Sequence, residues 1–445
     1  MHLLPVRLWL NLMGNPLNLR MLIVAASARP WIRSAEIAGF DVIAFDFFSD
    51  WDSILRGPEC VRSFRGGAEV GERRAVGRLK RFEDLLLKSN LELISSCDYA
   101  IFAGGLENHP SIIAELASRV SILGPNSSQH ARLGDTVEIL ASLKKMRHQV
   151  PVTNYQLTEG NNPSAWLKKS FRSSSGLGIV RATAADVGSE SSRHYYQSEV
   201  SGESFSAVFI SSAKEAETGR TAFVGWTRQL VNEPWCGAGE FRYCGSIGLL
   251  PIPEVLRPKI ESIGQTIADQ YGVVGAWGID FLVDGTNVWP VDFNIRLTAS
   301  MEIFDGMQRG SKGPYRSIVD LHVRACLGEL NMQRLRQSVN KQSADWAVTK
   351  KETCFGKSIV FYDGASAVRV TDEFHRNLVS QWRLIGELNT GQTGLADIPR
   401  EGEWIEPGQP ICTILAKESA QQVKDMLKTS ANEIRRAVSR LEAAQ

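Results

Sequence analysis

The stretch GAWGIDFLVDGTNVWPVDFNIRL, residues 275–297, predicts two strands joined by a tight turn at Asp284–Gly285. Successive side chains of a strand point to opposite faces, so the second strand places Asp292, Asn294 and Arg296 on one side. A carboxylate, an amide and a guanidinium in a row after an apolar run indicate a site rather than a core strand. A solvent-facing row of polar residues on a half-exposed sheet is the alternative for this stretch alone.

The pairing register of this hairpin decides whether Asp280, on the first strand, faces Asp292. A two-residue loop turns the two carboxylates to opposite faces. A three-residue loop, 284–286, places residue 292 opposite residue 278, and both carboxylates then share a face at diagonal positions roughly 7–8 Å apart. With Asn294 they supply two carboxylates and an amide, an oxygen set that suits Mg²⁺ shared with substrate phosphates. The sequence therefore predicts a metal site at Asp280, Asp292 and Asn294, with Mn²⁺ as an alternative ion.

The composition describes a folded protein without a nucleic-acid or membrane signature. The chain has 445 residues, 43% of them hydrophobic and 22% charged, and a formal net charge of +1. This length predicts two to four domains, and the balanced charge does not favour a nucleic-acid partner. The seven cysteines are scattered without a CxxC pair, and no apolar run of about 18 residues exists, so we expect a cytoplasmic protein that does not span a membrane.

The order of segments predicts a mixed α/β (α+β) protein with four parts. Residues 1–20 are expected to be an N-terminal extension, and the strand–helix–strand pattern of 21–124 predicts a Rossmann-like domain. Residues 125–334 mix short strands with helical stretches and contain the hairpin. A polar stretch that we interpret as a linker opens 335–445, and a small β-rich module and an amphipathic helix follow. The pair Gly104–Gly105 favours a tight strand-to-helix turn over a dinucleotide site.

A second patch lies in WLKKSFRSSSGLGIV, residues 166–180, which is typical of a hairpin with a small-residue loop. Backbone N–H groups and serine hydroxyls of such a loop can close over phosphate oxygens, while a strand lysine supplies positive charge. A flexible surface hairpin with solvated lysines is the alternative reading.

A third patch lies in YYQSEVSGESFSAVFI, residues 195–210, where a strand breaks and then resumes. Such an element can present its backbone edge to a planar base while Glu199 or Glu203 holds ribose hydroxyls. An ordinary edge strand with charged solvent-facing residues is the alternative.

Taken in order, these three patches resemble the ATP-grasp family, which combines a lysine strand and glycine-rich loop, an acidic hinge and a closing G-I-D-F … E-x-N-x-R pair of strands. The resemblance covers about residues 21–330 and implies an ATP-dependent enzyme. It implies that Asp280, Asp292 and Asn294 bind magnesium and that Arg296 steadies the transferred phosphoryl group. The implied nucleotide contacts are Lys169, Arg172, Ser173, Gly176, Gly178, Gln197, Glu199, Val200 and Glu203.

Two positions depart from the family pattern, and other phrases narrow the resemblance. The usual glutamate of the closing strand is Asp292 here. A lysine that is common in the family near the helix after GPN, residues 124–126, is Thr136 here. The phrases FAGGLENHP, GWTRQLV and NIRLTASMEIFD are similar to a group that includes the tyramine–glutamate ligase of methanofuran synthesis and bacterial relatives in one-carbon pathways.

The resemblance implies that a carbon–nitrogen ligase joins a small carboxylate to an amine through an acylphosphate, with ATP and Mg²⁺. Gln229 and Arg242 are candidates for the acceptor pocket, and no general base can be named. A nucleotide-binding scaffold without turnover, or a ligase for an unrelated amino acid or peptide, are the alternatives. We expect small-molecule partners, no nucleic acid and no membrane, and a homo-oligomer remains open.

Overall fold

The computed structural model describes residues 19–54, 61–63, 86, 88, 90–171, 175–189, 191–214, 219–308, 315–349 and 353–444. The predicted N-terminal extension therefore lies almost entirely outside the described residues.

The first unit is a five-stranded parallel sheet with the order β3-β2-β1-β4-β5. Its strands are β1 (Arg20–Ala25), β2 (Asp41–Asp46), β3 (Val61–Ser63), β4 (Tyr99–Phe102) and β5 (Ser121–Ile122). The described helices of this unit are α1 (Arg29–Ala38), α2 (Trp51–Ile54), α3 (Leu91–Ser95) and α4 (Pro110–Ala117). The strand order reverses between β1 and β4, and ligands of such sheets bind at that crevice, outside the carboxyl ends of the strands.

Two helices and a small sheet follow. The predicted single helical stretch 125–150 is two helices, α5 (Ser127–Leu133) and α6 (Thr136–Lys145), because Asp135 caps a new helix by accepting the backbone N–H of Glu138. The sheet has the order β6-β9-β7-β8. Its strands are β6 (Thr153–Asn154), β7 (Trp166–Ser170), β8 (Ile179–Arg181) and β9 (His194–Ser198).

An eight-stranded antiparallel sheet forms the centre of the molecule, with the order β14-β13-β10-β11-β12-β15-β19-β17. Its strands are β10 (Glu203–Ser211), β11 (Thr221–Val231), β12 (Tyr243–Gly248), β13 (Gly275–Asp284), β14 (Asn287–Asn294), β15 (Thr353–Phe361), β17 (Gln392–Ala396) and β19 (Pro410–Ser419). A two-stranded sheet pairs β16 (Val368–Arg369) with β18 (Trp404–Ile405). The remaining helices are α7 (Arg257–Tyr271), α8 (Met301–Gln308), α9 (Ile318–Cys326), α10 (Met332–Thr349), α11 (Asp372–Ser380) and α12 (Ala420–Ala444).

The C-terminal part differs from its prediction in two ways. Residues 335–349 of the stretch predicted to be a linker lie in α10, which has a buried edge at Met332 and Leu335. Most of the β-rich module is not a separate sheet, since β15, β19 and β17 extend the central sheet beyond β12, and only β16 and β18 pair apart from it. The predicted terminal amphipathic helix is confirmed as α12, which packs on β15 so closely that a Cβ on Gly356 would lie 2.2 Å from Val423.

His322 of α9 connects the first unit to the central sheet. Its Nε2 lies 2.9 Å from the carbonyl oxygen of Leu123, and its Nδ1 accepts the backbone N–H of Ala276 at 2.9 Å. Across the described ranges, no helix combines the length and apolar character that crossing a membrane requires.

Candidate active site

The β13–β14 hairpin turns at a different place from the one predicted. Asp284 pairs with Asn287, so the turn residues are Gly285 and Thr286. Both registers considered from the sequence are therefore wrong, because each began the loop at Asp284.

A β-bulge in β14 places the carboxylates of Asp280 and Asp292 on the same face of the hairpin. The ladder pairs Phe281 with Pro290 but Asp280 with Asp292, which leaves Val291 as the extra residue of β14. The two carboxylates consequently lie directly opposite each other instead of on a diagonal. This direct pairing places the two side chains closer together than the predicted diagonal.

Asn294 completes this group on the same face of β14. Its Nδ2 lies 3.1 Å from Oδ2 of Asp292 and 3.5 Å from Oδ2 of Asp280. Burial and the neighbouring charge of Asp292 raise the pKa of Asp280 to about 6, against hydrogen bonds from Ser206 and Gln229 that lower it. The chain therefore holds two repelling carboxylates close together.

The donor set fits a divalent cation of the Mg²⁺ type. Two opposed carboxylates and an amide oxygen are hard ligands, and a cation between them would remove their repulsion. Within the described ranges, no group of three or more His, Cys, Asp or Glu side chains is placed to hold a metal. The remaining coordination positions would therefore go to phosphate oxygens and water, as is usual for Mg²⁺.

Lys169 reaches this group from β7. Its side chain is buried, and its ammonium donates to the carbonyl oxygen of Val291 at 3.0 Å and to Oε1 of Gln197 at 3.3 Å. A bulge leaves its extra residue outside the regular ladder, so the carbonyl of Val291 is available to accept this bond. The adjacent Lys168 pairs instead with Asp186 at 2.7 Å. The bulge thus links the buried ammonium of Lys169 to the carboxylate pair.

Gln197 lines the cleft with an unused donor. The residue is 2% exposed, and its Nε2 has no hydrogen-bond partner among the described residues. A buried amide N–H without an acceptor is costly, so a ligand atom that accepts this hydrogen is expected here.

The two hinge carboxylates have other partners. Glu199 forms an ion pair with Arg181, and Glu203 is exposed, 3.8 Å from Arg228. Neither carboxylate lines the cleft, and Val200 does not line it either. The structure therefore brings Gln197 to the cleft but not these three predicted residues.

The glycine-rich loop after β7 packs against the segment before β12. Gly176 has a φ of +77°, and a Cβ there would lie 1.9 Å from the carbonyl oxygen of Phe241, so only glycine fits. The backbone N–H of Tyr243 donates to the carbonyl of Ser175 at 3.2 Å. Gly178 has the same positive φ, which bends the chain back into β8. Two further predicted contacts lie outside the described residues: Arg172 and Ser173.

Arg296 is held by a residue that sequence reasoning missed. Its Nη2 and Nε lie 2.6 and 2.8 Å from Oε1 of Glu107, in the loop that follows β4 of the first unit. The backbone N–H of Gly105 donates to Oε2 of Glu107 at 2.6 Å, and the guanidinium lies against Gly104. Burial raises the pKa of Glu107, but the charge and hydrogen bond of Arg296 outweigh it and lower the pKa overall. The signal was the acidic residue two positions after the glycine pair, and we interpreted that pair only as a turn.

These groups surround one cleft with a volume of about 250 Å³. Thr136 and Gln229 also line it, whereas Arg242 does not, because its guanidinium lies 4.0 Å above the ring of Phe361. Among the predicted site residues, the cleft is lined by Lys169, Gly176, Gln197, Asp280, Asp292, Asn294 and Arg296.

Residues 133–300 match the model of the ATP-grasp domain family. This part of the chain is similar to that family, and every cleft residue just named lies within the matched range. No curated protein matches the chain.

Solved structures match over most of the chain at low identity. N5-carboxyaminoimidazole ribonucleotide synthetase from Thermotoga maritima is 11% identical, with 93% of this chain and 98% of that chain covered and a TM-score of 0.56. Biotin carboxylase from Campylobacter jejuni, in a complex named as β-γ-ATP, is 12% identical, with coverages of 91% and 89% and a TM-score of 0.61. The biotin carboxylase domain of Hydrogenobacter thermophilus 2-oxoglutarate carboxylase, described with MgADP and bicarbonate, is 13% identical, with coverages of 89% and 85% and a TM-score of 0.58.

These likenesses establish the fold. The predicted mixed α/β ATP-grasp architecture is confirmed, and these neighbours cover 93% and 91% of the chain.

Proposed function

We propose that the protein is an ATP- and Mg²⁺-dependent carboxylate–amine ligase that forms an amide through an acylphosphate. The observation that carries the proposal is the convergence of a buried lysine, an opposed carboxylate pair and a carboxylate-held arginine in one cleft of an ATP-grasp domain. Phosphoryl transfer depends on positioning and charge stabilisation more than on a protein nucleophile, and this cleft supplies both.

Each cleft residue has a role in that reaction. Lys169 binds phosphate oxygens of ATP, and Gln197 donates its unused amide hydrogen to the base. Bound at Asp280, Asp292 and Asn294, Mg²⁺ would neutralise phosphate charge. Arg296, oriented by Glu107, stabilises the negative charge of the transferred phosphoryl group.

The proposed reaction has two steps, formation of an acylphosphate and its conversion to an amide. A substrate carboxylate oxygen attacks the γ-phosphorus, the bond from that phosphorus to the bridging oxygen breaks, and ADP leaves. An amine nitrogen then attacks the acyl carbon, inorganic phosphate leaves, and the amide forms as the amine loses a proton.

For the substrates we propose glutamate and an aromatic amine or amino acid, in a methanofuran-type pathway of one-carbon metabolism. The support is the similarity of FAGGLENHP, GWTRQLV and NIRLTASMEIFD to that ligase group. Mn²⁺ as a substitute for Mg²⁺ and a cytoplasmic location belong to the same proposal.

The test is an ADP-release assay with Mg²⁺, ATP and a matrix of acids and amines. Release that needs one acid and one amine together, and that Asp292→Ala abolishes while the turn variant Asp284→Asn retains it, would support the ligase. ATP binding without ADP release for any pair would favour a nucleotide-binding scaffold instead. ADP release with an acid other than glutamate would support the ligase proposal and would contradict glutamate as the acid substrate.

A further inference from the structure

A buried cluster of charged side chains lies where the first unit, the ATP-grasp domain and the C-terminal strands meet. Its members come from α1, from α8, and from β15 and the segment after β17, and none of them lines the cleft, although Lys357 contacts Ala299, which does. They are Arg29, Glu302, Lys357 and Asp397, with Asp52 beside them.

Arg29 connects the three parts through two double contacts. It donates to both carboxylate oxygens of Glu302 at 2.6 and 3.1 Å, and to both of Asp397 at 2.7 and 3.3 Å. Asp52 lies 3.6 Å from its Nε and accepts the backbone N–H groups of Asp397 and Ile398. Forked arginine–carboxylate pairs fix orientation as well as distance, so the three parts are held in one arrangement.

Lys357 brings this cluster to the edge of the cleft. From β15 its ammonium donates to Oε2 of Glu302 at 2.6 Å and to the carbonyl oxygen of Ala299 at 3.4 Å. Lys357 is 4% exposed and Glu302 is 2% exposed, so both charges lie away from bulk water. A lysine of the C-terminal strands thus contacts the segment that immediately follows Arg296.

That segment, Thr298–Ser300, lines the cleft and continues toward the carboxylates. The hydroxyls of Thr298 and Ser300 lie 2.9 Å apart, and Ser300 donates to the hydroxyl of Ser206 at 3.4 Å. Ser206 in turn hydrogen-bonds Asp280. A continuous set of contacts therefore runs from the charged cluster to the proposed metal ligands.

Stability alone is a weak reason for such a cluster. Taking ions out of water costs several kcal/mol per ion, and well-packed apolar residues often replace buried ion pairs at no loss. What apolar residues cannot reproduce is the directed bond from Lys357 to the carbonyl of Ala299. These contacts therefore support a role in fixing the conformation of the Thr298–Ser300 segment.

We infer that Lys357 and Glu302 are positioning residues that hold Thr298–Ser300 against the reacting side of the cleft, and that this is what the C-terminal strands contribute to the active site. The inference rests on the proposed ligase function for its kinetic consequence only. Its structural consequence, an ordered 297–304 segment, does not depend on the substrates.

The test compares Lys357→Met, which keeps the length of the side chain and removes the charge, with Lys357→Arg, which keeps the charge. Amide hydrogen exchange of the full chain with Mg²⁺ and ATP should become faster across 297–304 in Lys357→Met, while exchange in β15 and β19 is unchanged. Lys357→Arg should restore slow exchange. In the ADP-release assay, Lys357→Met should lower kcat by about tenfold to a hundredfold at an unchanged KM for ATP, as expected for misplacement of reacting groups.

Two results would overturn the inference. One is unchanged exchange across 297–304 in Lys357→Met. The other is a general rise in exchange throughout the central sheet, which would make Lys357 a stability residue. If the wild-type protein releases no ADP with any acid and amine, the ligase proposal fails, and the exchange comparison still decides the role of Lys357.

Discussion

The cleft and the charged cluster behind it treat polar and charged groups in opposite ways. In the cleft, Asp280 and Asp292 face each other with polar neighbours but no ion-pair partner among the described residues, and the buried amide nitrogen of Gln197 has no described partner. In the cluster, Arg29 donates four hydrogen bonds to two carboxylates, and Glu302 is bound by two cations. Buried charges that all have partners indicate a structural role. A buried polar group without a partner indicates a missing ligand, because burial without a partner costs free energy.

The largest expected effect is in the cluster. Arg29→Met leaves the carboxylates of Glu302 and Asp397 buried with less compensation, and removing one partner of such a pair costs about 3–5 kcal/mol. Chemical denaturation should show this loss in the free energy of unfolding. Arg20→Met is the matched control, since the Arg20–Asp41 pair is 40% and 43% exposed and should contribute about 0–1 kcal/mol. Equal losses in both variants would remove the distinction between the two regions.

Loss of a cleft carboxylate should have the opposite pattern. Asp280→Asn removes the like-charge repulsion with Asp292, so the free energy of unfolding should stay equal or rise. ADP release should fall by about a hundredfold to a thousandfold, the cost of losing one preorganised electrostatic group. Asp284→Asn, on the exposed turn of the same hairpin, should change neither quantity. A destabilised Asp280→Asn protein would contradict the view that this pair waits for a cation.

The two neighbouring lysines of β7 offer a smaller and sharper contrast. Lys169→Met should weaken ATP binding by about tenfold to a hundredfold, because a charge-assisted hydrogen bond contributes roughly 1.5–3 kcal/mol. Lys168→Met should leave ATP affinity unchanged, since Lys168 pairs with Asp186 outside the cleft. Calorimetric titration of both variants measures the difference, and equal affinities would reject Lys169 as a phosphate contact.

The smallest expected effect is a pH dependence of folding at His322. Burial lowers the pKa of His322 from its ordinary value of 6.5, so the unfolded chain binds this proton more readily than the folded one. The stabilisation is therefore complete above pH 6.5 and is lost as the pH falls toward the folded pKa, by at most about 1.4 kcal/mol per pH unit. Denaturation midpoints of the wild type and His322→Gln between pH 7.5 and 5.5 measure the slope. Burial also lowers the pKa of His130, to about 4, so His130 contributes a pH dependence of the same sign. If the slope in His322→Gln equals that of the wild type, the pH dependence comes from groups other than His322.

Local patterns in the sequence predicted much of this arrangement. Alternation along β14 was enough to group Asp292 with Asn294, and the lysine–glycine hairpin predicted a lysine and a glycine that both line the cleft. The bulge at Val291 could not be read from apolar alternation, because one extra residue leaves the composition of the strand unchanged. The registers failed because the turn lies at Gly285–Thr286, and the carboxylates nevertheless share a face because the bulge shifts the pairing by one residue.

Contacts between distant parts of the chain could not be predicted in the same way. Glu107 is 189 residues from Arg296, and Lys357 is 55 residues from Glu302. Nothing local marks such pairs, since their partners are set by how β4 and β15 are placed in their sheets. The linker interpretation was wrong for a related reason. The composition of α10 is mostly polar, and the few residues that it buries can be identified only from the core against which they pack.

The most direct test of the central claim is calorimetric titration of ATP into the full chain with Mg²⁺ and, separately, with EDTA. If Asp280, Asp292 and Asn294 share a cation with the phosphates, binding should be much tighter with Mg²⁺, and Asp292→Asn should abolish that difference while Asp284→Asn keeps it. Equal affinity with Mg²⁺ and EDTA, or a metal dependence that survives Asp292→Asn, would contradict the account.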